Sequence, residues 1–123
     1  MMTLQEVFDK AAKHLLTQGK RSVDSEGGCL YRGTDGSMCA VGCLISDEAY
    51  SAELEGLTVD VVCVREALHK SGVPMDNAAL NLLQFLQGVH DCDPVREWRS
   101  ALRATAAQFS LNTAALDEVS HGA

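Results

Sequence analysis

The fold of this chain is decided by the stretch Asp76-Asn-Ala-Ala-Leu-Asn-Leu-Leu-Gln-Phe-Leu-Gln-Gly-Val-His-Asp91. Asp76 suits the N-cap of a helix, because its carboxylate can accept hydrogen bonds from backbone N–H groups that lack a partner in the first turn. Apolar side chains then occupy nearly every side of the helix, at Ala79, Leu80, Leu82, Leu83, Phe85, Leu86 and Val89. A helix with this pattern must be covered on most sides. We therefore expect it to lie at the centre of the domain.

The chain before this stretch begins with a second helical pattern. Thr3-Leu-Gln-Glu6 fits a capping box, in which the hydroxyl and the carboxylate each bind a free backbone N–H. Gly19 is suited to end the helix, which predicts a helix over about 3–18. Lys20 and Arg21 follow, and their positive charges suit a helix C-terminus.

Further helices are predicted on both sides of the central stretch. Thr58 can cap a helix that ends near Ser71-Gly72, and Asp93-Pro94 can open another, since Pro is favoured at the first helical position. The last of these helices has one apolar stripe, formed by Val95, Trp98, Leu102, Ala106 and Phe109. We expect Trp98 to lie in the core because it falls on that stripe. The residues after Asn112 are predicted to form a weak helix or a frayed end.

The segment between the first two helices carries weaker signals. Its glycines and the turn pair Asp35-Gly36 predict a small β-hairpin near residues 29–38. The apolar run Cys39-Ala-Val-Gly-Cys-Leu-Ile45 fits either a helical turn or a buried strand. We favour a helix, because Ser46-Asp47-Glu48 then begins another helix over 49–54. The predicted fold is a mainly α, single-domain helical bundle over 1–123 with that small hairpin.

The charge distribution restricts the class of partner. The chain of 123 residues has a net charge of −7, and residues 34–93 hold ten acidic against two basic side chains. Nucleic-acid binding needs a basic surface, so we expect no direct nucleic-acid partner. No stretch is long and apolar enough to span a membrane, and the N-terminus lacks the apolar core of a secretory signal. We expect a soluble, cytosolic protein.

Five cysteines raise the question of a metal site. Their odd number, at Cys29, Cys39, Cys43, Cys63 and Cys92, argues against a disulfide framework. On a helix, Cys39 and Cys43 would share a face, and Cys29 with His90 or Cys92 would complete a tetrahedral zinc site. The apolar neighbours of Cys39 and Cys43 favour buried structural thiols instead. We assign no metal and no cofactor, although the sequence leaves metal binding by these cysteines open.

A second constellation points to hydrolysis. The order His69, His90-Asp91 and Asp117 is similar to that of helical phosphohydrolases, which hold a divalent metal with such side chains. His69, however, lies only 21 residues before His90, and Asp117 falls in a segment expected to be loose. We therefore expect no enzyme and assign no catalytic residue, and we keep the metal-dependent phosphohydrolase as an alternative.

A binding patch is predicted where an aromatic residue lies among acidic ones. Aromatic side chains are enriched at the anchor points of interfaces, and acidic groups steer a chain toward a basic partner. The alternative is a solvated face of a short helix. The predicted partner-binding residues are Asp47, Glu48, Tyr50, Glu53 and Glu55.

One run resembles a segment of small phage and prophage proteins: Cys29-Leu-Tyr-Arg-Gly-Thr-Asp-Gly-Ser-Met-Cys-Ala-Val-Gly-Cys-Leu-Ile-Ser-Asp-Glu-Ala-Tyr50. Its most specific part is the Cys-Ala-Val-Gly-Cys-Leu-Ile segment. The resemblance implies a phage-encoded accessory protein and transfers no catalytic residue. By analogy with small acidic phage proteins that inhibit host machinery, we expect it to bind and block a bacterial host protein, such as a CRISPR effector. A phosphohydrolase and a structural zinc module are the alternatives.

Overall fold

The protein is built from five α-helices in the residues that the computed structural model describes, 1–33 and 35–119. The described residues contain no strand, which confirms the mainly α class. Residues 120–123 of the predicted domain lie outside the described residues. The helices are α1 (Leu4–Gln18), α2 (Val62–Lys70), α3 (Asn77–Cys92), α4 (Trp98–Gln108) and α5 (Ala114–Glu118). Short 3-10 turns occupy Gly42–Leu44, Ala52–Leu54 and Val95–Glu97.

None of the helices described has the combination of length and apolar character that crossing a membrane would require.

Helix α1 has the ends that its sequence predicts. The Thr3 hydroxyl accepts a hydrogen bond from the Glu6 N–H at 3.1 Å, and the Glu6 carboxylate accepts one from the Thr3 N–H at 3.0 Å. Gly19 ends the helix in the left-handed conformation, with φ of 66°, and donates its N–H to the Leu15 carbonyl. Both ends depend on contacts within four residues of sequence, which is why a local pattern predicts them.

Helix α3 lies against α1 and α4 and carries much of the core. Asp76 accepts a hydrogen bond from the Ala79 N–H at 2.9 Å, as predicted for an N-cap. Trp98 is buried, as predicted, and its indole N–H donates to the Asp93 carbonyl at 3.1 Å. The expectation that α3 is covered on most sides holds less well at Phe85, which is 49% exposed and packs against Phe109 with the two rings nearly perpendicular.

The two basic residues after α1 do not stabilise the C-terminus of α1. Arg21 donates to the carbonyls of His90 and Asp93, at 3.0 and 2.7 Å, so its charge lies at the C-terminus of α3. Lys20 pairs with Asp35 at 2.7 Å. The left-handed turn at Gly19 directs the chain away from α1 and toward the end of α3.

The predicted hairpin near 29–38 is reduced to isolated antiparallel bridges. One joins Val23 to Cys29 and the other joins Arg32 to Met38; Thr34, in the predicted turn, lies outside the described residues. The carboxylate of Glu55 accepts hydrogen bonds from the backbone N–H groups of Tyr31 and Arg32, at 2.7 and 3.1 Å. Because a side chain takes these donors, they are not available to a neighbouring strand.

The segment from Cys39 to Leu54 forms turns instead of the two predicted helices. The Cys43 N–H donates to the Cys39 carbonyl, but the helical geometry ends after the 3-10 turn Gly42–Leu44. The helix expected over 49–54 is also wrong, because Ser51 is extended, with φ of −146°, and only the 3-10 turn Ala52–Leu54 follows. The cap signal at Ser46-Asp47-Glu48 favoured helix here, and the tertiary contacts described below override it.

Helix α2 begins later than predicted. The Thr58 hydroxyl donates to the Asp60 carboxylate and caps no helix, and α2 begins at Val62 without a side-chain cap. Its end is as predicted: Ser71 follows the helix, and Gly72 has a φ of 88°.

Candidate functional site

A cleft of about 560 Å³ opens beside the C-terminal half of α3. Its other walls are the chain around Cys29 and the segment from Glu55 to Asp60. The lining includes the carboxylates of Glu55, Asp60 and Asp91 and the thiols of Cys29 and Cys92, and none of the described residues that line it is a Lys, Arg or His. Such a cleft attracts cationic groups.

A cluster of polar groups lies where the cleft wall around Cys29 meets the C-terminal end of α3. The ligand atoms of Cys29, His90 and Asp91 all lie within 4.8 Å of one another. His90 is fully buried; its Nδ1 lies 2.7 Å from Asp91 Oδ1, and its Nε2 lies 2.9 Å from the Ser22 backbone nitrogen. A backbone N–H can only donate, so Nε2 accepts and the ring proton lies on Nδ1, from which it is donated to Asp91.

These contacts determine the protonation of Asp91 and Cys29. Burial pushes the pKa of Asp91 up, but hydrogen bonds from His90, Cys29 and Gln87 outweigh it, so the pKa lies below its ordinary value. Burial raises the pKa of the Cys29 thiol to about 11, with further contributions from its hydrogen bond to Asp91 and from the charges of Asp91 and Cys92. Cys29 is therefore a thiol at neutral pH, whereas a nucleophilic cysteine needs the thiolate.

The residues considered for a phosphohydrolase are not brought together. Asp91 lines the cleft and His90 is buried beside it, whereas His69 lines a separate groove on α2. Asp117 lies 3.6 Å from Arg103. Among the described side chains, the only trio of close metal-ligating groups is Cys29, His90 and Asp91. The phosphohydrolase alternative therefore loses its metal site.

The zinc set that includes Cys39 and Cys43 is not assembled either. Cys39 Sγ accepts a hydrogen bond from the Gly42 N–H at 3.2 Å, and Cys43 Sγ donates to the Ala40 carbonyl at 3.1 Å. Burial raises the pKa of each thiol to about 12. Both cysteines are therefore structural thiols, as their apolar neighbours predict.

The predicted acidic patch is organised by a residue that the sequence reasoning missed, Arg32. Its guanidinium pairs with Asp47 at 2.8 Å, donates to the Ile45 carbonyl at 2.8 Å and lies 4.4 Å from the centre of the Tyr50 ring. A planar guanidinium can make all three contacts at once. Arg32 therefore holds residues 45–50 in a non-helical conformation.

The five predicted patch residues divide into two groups. The Glu55 carboxylate is half-buried and accepts hydrogen bonds from the N–H groups of Tyr31 and Arg32 and from the Tyr50 hydroxyl, the last at 2.6 Å. Burial and this hydrogen bond raise the pKa of Tyr50 to about 12. Tyr50 and Glu55 thus hold the segment together from inside. The side chains that remain exposed are Asp47, Glu48 and Glu53.

Residues 46–55, termed the acidic loop below, adjoin the cleft. Glu55 belongs to both, because it ends the loop and lines the cleft. Asp60 and Asp91 extend the row of carboxylates into the cleft. The loop and the cleft therefore make one acidic face, and the sequence patterns identified only its first part.

Comparison with protein-family models, with curated proteins and with solved structures found no match to this chain. A fold alone does not decide a function, which depends on the groups that a site presents. In this chain the acidic face is the group of side chains that bears on function.

Proposed function

We propose that this chain is a binding protein that engages a basic surface of a bacterial host protein through the acidic face. The observation that carries the proposal is the acidic loop, in which Asp47, Glu48 and Glu53 are exposed while Arg32 and Glu55 hold the backbone in place. A loop that is ordered before binding loses little conformational entropy when the partner arrives. Its carboxylates can therefore contribute directly to recognition.

The charge of the face suits a role in association. Complementary charge raises the rate of encounter more than it raises the final affinity. The apolar residues Leu30, Leu57 and Val59 line the same cleft as the carboxylates. A lysine or arginine of the partner, with its apolar stem and charged end, matches a lining of this kind.

The resemblance to small phage proteins supplies the biological setting of the proposal. In that setting the chain is made inside a bacterial cell, and it blocks a host defence component, such as a CRISPR effector, by occupying a basic surface. Inhibition of this kind requires tight binding and no catalytic group. Inhibition without catalysis is compatible with a cleft in which Cys29 is a protonated thiol.

The proposal is tested with two charge-matched variants. In the first, Glu48→Gln and Glu53→Gln remove two exposed charges of the acidic loop; in the second, Glu66→Gln and Glu97→Gln remove two exposed charges elsewhere. The partner is captured from a bacterial extract on the parent chain at low salt, purified, and its association rate is measured with all three chains. Electrostatic steering predicts that the loop variant associates about 3-fold more slowly or worse, and that the control associates like the parent.

Two results would contradict the proposal. Equal slowing of both variants would mean that net charge acts without the acidic loop. If no stoichiometric partner is captured at low or at high salt, the proposed binding function is wrong.

A further inference from the structure

We propose that the cleft holds one arginine side chain of the partner, with its stem over Gly88 and its guanidinium at Asp91, and that this contact sets the lifetime of the complex. The inference rests on the proposed function, because it names the group that the acidic face binds. The cleft has a volume of about 560 Å³, within the range of about 300–1,000 Å³ that is usual for sites that enclose a small ligand. A whole side chain can therefore enter it.

The α3 wall of the cleft has a gap at Gly88. This wall is one stripe along α3, because its residues recur at helical spacing: Gln84, Gln87, Gly88 and Asp91. A Cβ on Gly88 would meet no atom within 4 Å other than the nearby backbone of its own helix, so space is open there. Asp91 follows about 4.5 Å farther along the helix axis, a distance that the three methylene groups of an arginine can span. The gap therefore accepts an unbranched stem that leads to a carboxylate.

The Asp91 carboxylate is held in place before a partner arrives. The ring of His90 and the side-chain amide of Gln87 both donate to its Oδ1, at 2.7 and 3.1 Å. The neutral His90 ring gives this support without cancelling the charge of Asp91. In the described part of the chain, the cleft carboxylates Glu55, Asp60 and Asp91 form no ion pair with a lysine or arginine. An oriented carboxylate without a cation suits a charged hydrogen bond from a guanidinium.

Arginine fits this cleft better than lysine for two reasons. Its planar guanidinium carries five N–H donors, so it can donate to carboxylates on more than one wall, which Asp91 and Glu55 provide. The guanidinium is also more weakly hydrated than an ammonium group, so it loses less on leaving water for a cleft that Leu30 and Leu57 also line.

The acidic loop and the cleft then act on different rates. Charges at the rim of an interface mainly change the rate of association, whereas an enclosed charge pair mainly changes the rate of dissociation. We therefore expect the acidic loop to govern the encounter and the cleft to govern how long the partner stays.

The first test uses the capped amino acid Nα-acetyl-arginine methylamide as the probe, on the full chain without a partner. Amide NMR signals of the cleft lining should shift saturably, and the lysine analogue should bind about 3-fold more weakly or worse. Asp91→Asn should weaken binding of the arginine probe about 10-fold or more. Glu66→Gln removes an exposed carboxylate outside the cleft lining, so this matched control should bind like the parent.

Gly88→Ala tests the gap without weakening the helix. Its methyl group occupies the space over which the stem lies, so it should weaken binding of the arginine probe about 3-fold or more. Alanine is favoured over glycine inside a helix, so a loss of binding in this variant cannot come from unfolding.

The second test measures dissociation of the captured partner. Asp91→Asn should raise the dissociation rate about 10-fold or more and change the association rate little, the reverse of the acidic-loop variant. Circular dichroism of each variant separates loss of the contact from loss of the fold.

Three results would overturn the inference: no saturable shift at the cleft lining, equal binding of the arginine and lysine probes, or an unchanged dissociation rate in Asp91→Asn. Each leaves the proposed function standing if the acidic-loop variant still associates slowly. Saturable arginine binding in the cleft together with capture of no partner would contradict the proposed function and support the arginine site.

Discussion

Gly42 and Gly88 should respond in opposite directions to the same added methyl group. A Cβ on Gly42 would lie 1.9 Å from the Tyr31 carbonyl oxygen and 2.7 Å from the carbonyl carbon. Ordinary contacts between non-bonded heavy atoms are about 3.5–4.0 Å, so the backbone would have to move by more than an ångström. A Cβ on Gly88, within α3, would meet no atom within 4 Å other than the nearby backbone of its own helix.

The two magnitudes follow from these distances. Overpacking costs about 1–3 kcal/mol when side chains can adjust, and the obstacle at Gly42 is backbone. We therefore expect Gly42→Ala to lower the free energy of unfolding by about 3 kcal/mol or more, a large share of the stability of a small domain. Alanine is favoured over glycine inside a helix by about 1 kcal/mol, so Gly88→Ala should raise the free energy of unfolding by about that amount.

Urea unfolding followed by circular dichroism measures both variants against the parent. The midpoint should fall for Gly42→Ala and rise for Gly88→Ala, with the slope unchanged. If Gly42→Ala unfolds at the parent's midpoint, the close approach of the Gly42 turn to Tyr31 is wrong. If Gly88→Ala is less stable than the parent, the space beside Gly88 is filled, and the shape of the cleft that it lines is wrong.

Three further perturbations test the site. Because the pKa of Asp91 is lowered on folding, its contribution to stability is present above about pH 4 and is lost as the pH falls. Urea unfolding should therefore show that Asp91→Asn loses less stability than the parent between neutral pH and about pH 3. An equal loss in both chains would contradict this. The pKa of Cys39 is raised from 9.0 to about 12, so its contribution to the free energy of unfolding is complete below pH 9.0 and is lost as the pH rises toward about 12. Cys39→Ala should therefore lose less stability than the parent over this alkaline range. Equal loss in both chains would refute the assignment. In Arg32→Lys, the lysine cannot contact Ile45 and Asp47 together as the guanidinium does. Amide hydrogen exchange in the acidic loop should therefore become faster by about 5-fold or more. Unchanged exchange would show that Arg32 does not hold the loop.

The site was only partly predictable, because its organising contacts join distant parts of the chain. Asp47, Glu48 and Glu53 are exposed in the acidic loop, where the sequence places them. The sequence predicts Glu55 as a partner-binding residue beside them, yet its carboxylate holds the backbone of Tyr31, 24 residues away. No local pattern distinguishes a carboxylate that accepts backbone N–H groups from one that faces solvent.

The metal-ligating residues illustrate the same limit. Pairing Cys39 with Cys43 relied on helical spacing, and the turn at Gly42–Leu44 left both thiols bonded to nearby backbone. Cys29 meets Asp91 because Arg21 and Ser22 bind the end of α3, which brings the following loop to that end. Contacts across about 70 residues depend on the whole fold.

The sequence by itself determined the helices whose signals are local. The capping box of α1, the Asp76 cap of α3 and the apolar stripe that buries Trp98 all depend on neighbours within about one helical turn, so they hold in any fold that covers the apolar faces. Tertiary structure decided the rest. Residues 46–54 have a helical pattern, but so short a helix is less stable than the contacts that Arg32 and Glu55 make with this segment. Those hydrogen bonds and that ion pair form only once distant segments of the chain have met.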